Sequence, residues 1–170
     1  MPDEETVTVA GREIKISNPS KVFFPAVGVT KWDLVQYYIT VAEGALRGVY
    51  HRPTVLKRYP DGVDGEMFFQ KRVPKGRPDW VETVVVSFPS GRSAEELCPA
   101  DTAHVVYAAN LGCLDLNPWA VRSADIDHPD ELRVDLDPMP GVTWDAVRQV
   151  ALEVIALLGE MGLPAFPKTS

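Results

Sequence analysis

The chain has 170 residues, 45% of them hydrophobic and 24% charged, which is the balance of one globular domain and excludes a disordered tail, a collagenous chain or a coiled coil. No run approaches the roughly 18 apolar residues needed to span a bilayer, and the acidic start Met1–Val7 lacks the apolar core of a secretory signal. Seventeen Lys and Arg against 24 Asp and Glu leave a net charge of −7, which taken alone argues against a generic nucleic-acid binder.

In chain order, residues 1–5 are expected to be disordered. Thr6–Ile16 alternates, with Val7 and Val9 before Gly11 and Ile14 and Ile16 after it, the pattern of a β-hairpin. Ser17–Pro25 is rich in turn formers and reads as a loop. Thr30, with Asp33 three residues on, is the signature of a helix N-cap, and Leu34, Tyr38, Val41, Ala42 and Ala45 follow at helical spacing as far as Gly48. Thr54–Tyr59 and Met67–Val73 read as strands joined by the turn Pro60-Asp61-Gly62, and Val81–Phe88 as a third. Ala103–Leu111 is a short helix. Leu132–Asp137 reads as a strand stopped by Pro138. Thr143 caps a last helix to about Met161, with Val147, Val150, Ala151, Val154, Leu157 and Leu158 as a wide buried face. The expected class is α+β with mainly antiparallel strands and flanking helices.

The net charge conceals an asymmetry. Residues 11–77 hold twelve basic and six acidic side chains, whereas the rest of the chain holds five and eighteen. A polyanion is drawn to the first part and divalent cations to the second. Cys98 and Cys113 form no Cys-x-x-Cys pattern, and His51, His104 and His128 offer no zinc spacing with them. Reduced thiols are expected.

Four segments carry chemistry. On a strand, Asp135 and Asp137 of Arg133-Val134-Asp135-Leu136-Asp137-Pro138 project from one face, with Val134 and Leu136 facing the core. Paired carboxylates repel, a divalent cation relieves the repulsion, and hard oxygens favour Mg²⁺ or Mn²⁺. The same Asp-x-Asp pattern also occurs in glycosyltransferases and on solvated strands. In Met67-Phe68-Phe69-Gln70-Lys71-Arg72, alternation sends one Phe to the core and the other to the surface beside cations, as a base-stacking platform; two core aromatics at a bend are the alternative. In Ser17–Pro25 with Thr30-Lys31, Lys21 and Lys31 stand beside a helix start whose N–H groups could hold a phosphate; solvated lysines are the alternative. In Thr54–Pro60, Lys57 and Tyr59 share a face opposite Leu56 and Arg58, and a cation on the inner face of a sheet needs an anion.

Taken in order, the strings SNPSKVFFP with the following TK, RPTVLKRYPDG, MFFQKR, residues 107–119, RVDLDP and FPKTS resemble the polymerase domain of bacterial ligase D, in the archaeo-eukaryotic primase superfamily. The resemblance runs from about Val7 to Ser170. It implies a primase-type fold and a repair polymerase that acts in non-homologous end joining, adds nucleotides, often ribonucleotides, and commonly uses Mn²⁺. By position it implies that Asp135 and Asp137 are catalytic metal ligands. Asn18, Lys21 and Lys31 match a 5′-phosphate pocket, and Phe68, Phe69 and Lys71 match DNA contacts near the templating base. Lys57, Lys168 and Ser170 match nucleotide contacts. The implied partners are 5′-phosphorylated gapped or broken DNA, nucleoside triphosphates, a DNA ligase and a Ku-type end-binding protein, in a bacterial cytoplasm at the nucleoid.

Two features depart from the family pattern. Asn117-Pro118-Trp119 has Asn where members have His, and Asn carries no proton or charge. The resemblance also implies that the chain is the N-terminal portion of such a domain, with a third carboxylate beyond Ser170. The competing expectation is a truncated module that binds 5′-phosphorylated ends without chemistry.

Overall fold

The computed structural model describes residues 3–169. The chain divides into two compact units, Met1–Leu132 and Arg133–Ser170.

The first unit opens with the hairpin β1 (Glu4–Val9) and β2 (Arg12–Ser17). Its register runs from Glu4 opposite Ser17 to Val9 opposite Arg12, so Glu4 and Glu5 are ordered strand rather than a disordered start. The expected loop after it contains a short strand, β3 (Val22–Phe24), which pairs antiparallel with β4 (Val29–Thr30). Helix α1 (Lys31–Val49) begins on the expected capping box: the Thr30 hydroxyl accepts from the Asp33 N–H, and the Asp33 carboxylate accepts from the Thr30 N–H.

Strand β5 (Thr54–Arg58) is the centre of the main sheet. It pairs antiparallel with β6 (Phe68–Gln70) and with β9 (Cys113–Pro118), and bonds through Thr54 to β8 (Ser93–Leu97), which carries β7 (Thr83–Ser87) outside it. Neither β8 nor β9 was expected. Ser93-Ala94-Glu95-Glu96-Leu97 has little strand propensity of its own and is a strand because the Val-rich β7 pairs along its whole length.

Helix α2 (Thr102–Asn110) is the hinge of the packing. Every residue from Ala103 to Ala109 is buried. Tyr107 and Ala108 pack into a core with Leu56, Leu97, Val81 and Cys113, while Ala103, Val106 and Ala109 pack with Ile14, Ile16 and Val35 of the hairpin and α1. Small residues let the helix approach both layers closely. His104 is satisfied here. It donates from Nδ1 to Asp101 at 2.8 Å and accepts the Glu82 N–H at Nε2, 3.0 Å away, which makes it a neutral structural residue. Both cysteines are free and buried, and burial pushes the Cys113 thiol up to about 12.

In the second unit, the segment expected as a strand from Leu132 to Asp137 has no regular secondary structure. Val134, expected in the core, is exposed. A strand needs a partner to satisfy its N–H and C=O groups, and among the described residues none pairs with this segment. Helix α3 (Trp144–Glu160) starts at Thr143 as expected, but none of its residues is buried. The face expected to be covered includes Val150 and Leu157, both exposed.

Candidate functional site

The first cluster lies where β2 turns through β3 and β4 into α1. Asn18 adopts a left-handed conformation, φ 49°, and turns the chain so that its carbonyl accepts from the Lys21 N–H at 3.1 Å. Phe23, fully buried, anchors the loop. Its carbonyl accepts the Val63 N–H at 2.9 Å, and its ring lies against Gly112. At Gly62, φ +85°, a Cβ would meet the Phe23 carbonyl oxygen at 3.1 Å, so glycine is required both for the turn and for the close approach.

This seam brings Lys21 to the Pro60–Gly62 turn. Its Nζ donates to the Pro60 carbonyl at 2.7 Å and pairs with Asp61 at 2.6 Å. Lys31 is different. It is buried, at 5% exposure, and its Nζ donates to the Ser17 carbonyl at 2.6 Å and the Ser17 hydroxyl at 3.1 Å. Both partners are neutral, and among the described residues Lys31 has no ion pair. Burial, then repulsion from Lys21 and Arg58, lowers its pKa to about 8.

The expectation that the α1 N-terminus offers free N–H groups to a phosphate is corrected. The Lys31 N–H is taken by the Lys21 carbonyl at 2.7 Å and the Trp32 N–H by the Pro19 carbonyl at 2.9 Å, while the Asp33 N–H goes to the cap. The first-turn donors are satisfied within the protein, which leaves the lysine side chains as this corner's candidates for meeting an anion.

The second cluster is the outer face of the main sheet. Directly opposed residues of antiparallel strands share a face, and Lys57 of β5 stands opposite Asp115 of β9 on one side and Phe69 of β6 on the other. Asp115, Lys57 and Phe69 therefore form one row, with Asn117 beside them opposite Val55. Leu56 faces the core behind. Lys57 pairs with Asp115 at 3.1 Å and lies 5.8 Å from the centre of the Tyr59 ring. The hydrogen bonds to Asp115 and Tyr59 raise its pKa. The inner-face cation expected to need an anion thus has one from the protein. Asp115 was not singled out in the sequence, although Leu114-Asp115-Leu116-Asn117 carries a readable period of two.

Phe68 and Phe69 are both exposed, so neither is the core residue expected. Strand β6 lies at the sheet edge, where no layer covers either face. Phe68 is capped by the Arg58 guanidinium, 5.2 Å from its ring centre, and Lys71 lies 4.4 Å from the ring of Phe88. Two exposed aromatics flanked by cations are the chemistry of a base-stacking ledge.

In the second unit, Asp135 and Asp137 are exposed and have no hydrogen-bond or ion-pair partner among the described residues. Their oxygens are free to bind, and as hard donors they suit a divalent cation such as Mg²⁺ or Mn²⁺. Among the described residues no group of three or more His, Cys, Asp or Glu could hold a metal. Lys168 is exposed in the segment after α3, and Ser170 lies outside the described residues. No helix is long and apolar enough to cross a membrane.

Residues 30–170 match the family model of the LigD primase-polymerase domain. The multifunctional non-homologous end joining protein LigD of Mycolicibacterium smegmatis is 30% identical over 159 residues, covering 92% of this chain and 21% of that protein. The corresponding Mycobacterium tuberculosis DNA repair protein is 33% identical over 174 residues, covering 94% and 22%. The bifunctional Bacillus subtilis LigD is 30% identical, covering 93% and 25%. Among solved structures, the polymerase domain from Mycobacterium tuberculosis ligase D in complex with DNA matches with a TM-score of 0.79 and 32% identity, over 92% of this chain and 57% of that one. The chain thus spans about a fifth to a quarter of the length of these curated relatives.

Proposed function

The chain belongs to the LigD primase-polymerase domain family, and from that premise we propose that it engages DNA carrying a 5′-phosphate at a gap or break and serves template-directed nucleotide addition in non-homologous end joining. The observation that carries this reading is Lys31. A buried ammonium with only neutral oxygens around it is costly, and an arriving phosphate supplies the missing charge. Lys21 and the exposed Asn18 complete the pocket. Phe68 and Phe69 stack near the templating base, with Lys71 on the strand phosphates. A DNA-bound relative of the same fold supports DNA as the partner.

Lys57 and Asn117 face the incoming nucleotide beside Phe69, and Lys168 and Ser170 contact its triphosphate. Asp135 and Asp137 hold Mn²⁺ or Mg²⁺, which when bound supplies charge stabilisation to the attacking oxygen and the leaving pyrophosphate. A DNA ligase and a Ku-type end-binding protein are the proposed partners in repair.

The test is primer extension on gapped DNA with Mn²⁺ and ribonucleotides, comparing wild type with Asp135→Asn and Asp137→Asn. Extension lost in both variants is expected; extension retained in either removes the metal assignment. A second reading, end binding without chemistry, is favoured by one observation: the Lys21–Lys31 corner is built entirely from residues of the first unit. It predicts 5′-phosphate-dependent binding by a chain that does not extend primers.

A further inference from the structure

Glu96 is fully buried in β8, opposite Val84 of β7, and none of the roles above uses it. One carboxylate oxygen accepts from the Trp119 indole N–H at 2.8 Å. The other, Oε1, is sealed from solvent and has no hydrogen-bond partner among the described residues. A carboxylate buried with half its bonds unmade is costly, and it keeps its charge only in the field of a cation. The cation at hand is Lys71. The segment after β6 is stitched along β8: the Val73 N–H donates to the Glu95 carbonyl at 3.0 Å, and the Arg72 guanidinium to the Ser93 carbonyl at 2.5 Å. Lys71 leads into that stitch, and its ammonium lies 4.4 Å from the centre of the Phe88 ring. The Phe88 ring is in turn 6.0 Å from the Trp119 ring, whose indole holds Glu96. All these residues belong to the first unit.

Lys71 is exposed and makes no ion pair among the described residues. A buried anion short of a cation and an exposed cation short of an anion thus flank one aromatic pair. Burial raises the Glu96 pKa, while the Trp119 bond and then the Lys71 charge act to lower it. An ammonium over a ring face is held by the ring itself, and a negative charge behind the ring adds to the pull. We propose that Glu96 is a positioning residue for DNA binding: its charge rests Lys71 over the Phe88 ring in the free protein, and a strand phosphate must draw the ammonium away from that rest. The resting contact is a built-in competitor of the DNA beside the ledge of Phe68 and Phe69. This rests on the reading of Lys71 as a strand-phosphate contact.

The test uses the full chain and a fluorescein-labelled gapped duplex with a 5′-phosphate, titrated by anisotropy. Glu96→Gln keeps an oxygen for the Trp119 N–H and removes the charge. It is combined with Lys71→Met in a double-mutant cycle. Lys71→Met should weaken binding and lower the salt slope by about one. Glu96→Gln should tighten binding about threefold when Lys71 is present and leave it unchanged in Lys71→Met, the scale of coupling between neighbouring groups. In the DNA-free protein, carbon-resolved NMR should find the Lys71 ε-methylene shifted by the Phe88 ring, and Glu96→Gln should return it toward the ordinary lysine position while the Val73 amide stays put. Phe88→Leu removes the resting place without touching the buried carboxylate, and should tighten binding in the same Lys71-dependent way even where Glu96→Gln fails to fold. Tightening that is equal with and without Lys71, or no tightening in any variant, overturns the positioning role alone. A Lys71→Met protein that binds as the wild type does, with its salt slope intact, takes Lys71 off the DNA and sinks this proposal with it.

Discussion

Lys31 sits buried at the corner of β2 and α1 with neutral oxygens for partners, whereas Lys57 stands on the open face of β5 with Asp115 across the strand pair. The pKa of the first is lowered and that of the second raised. One is a cation that the fold leaves short of negative charge; the other is neutralised already. The first arrangement is expensive without a ligand and gains most from an anion. The second costs the fold little, so a ligand there must displace or recruit Asp115.

The largest effect should come from breaking the buried lysine. Lys31→Met keeps the bulk and removes the charge, so the preference for 5′-phosphorylated over unphosphorylated gapped DNA should fall roughly 30-fold or more, the scale of losing a buried charged partner. Its thermal midpoint should hold or rise, since the desolvation cost goes too. A retained preference in a binding assay would move the phosphate pocket elsewhere.

Next is pH. Lys31 has a folded pKa of about 8 against an ordinary 10.5, so between these values the unfolded chain binds more protons than the folded one. Its penalty on stability is therefore full below pH 8 and is relieved as pH rises to about 10.5. Phosphate recognition runs the other way, because it needs the charged form. The 5′-phosphate preference should weaken from pH 7 to 9 in the wild type and stay flat in Lys31→Met; parallel profiles would remove Lys31 from the contact.

A smaller effect is expected at the sheet face. Lys57→Met should weaken nucleotide binding about tenfold without changing the 5′-phosphate preference. Asp115→Asn should change it only about two- to fivefold, as a solvent-exposed pair allows. Titration of a fluorescent nucleotide reads both, and a larger loss for Asp115 than for Lys57 would invert the assignment.

How much of this was legible in the sequence depended on where the determining contacts lie. The hairpin, the capping box of α1, strand β5 and helix α2 are written in local periodicity and cap chemistry, and they stand where expected. Strand β8 is not, because its pairing with β7 makes it a strand. The Asp135–Asp137 segment fails in the opposite sense: its alternation is plain, but alternation forms a strand only against a partner. The candidate site divides the same way. Lys21 and Lys31 were readable as cations beside a helix start and Lys57 as a cation on one face of a strand, with the resemblance adding what each would contact, while Asp115 and Asp61 entered only with the fold, since their partners are 58 and 40 residues away respectively.

Strand β6 is three residues long, lies at the sheet edge, and exposes Phe68 and Phe69, with Met67 exposed just before it. An edge with aromatic side chains and unpaired backbone is an invitation to sheet extension by a second molecule. The residues that follow, Lys71 and Arg72, place two cations at the end of that edge, and short length with flanking charge is how natural sheets discourage such stacking. The basic pair beside the aromatics therefore has a colloidal duty as well as the binding one proposed for it. A sheet that leaves two aromatics bare at its edge must also keep the charges that stop it from pairing with itself.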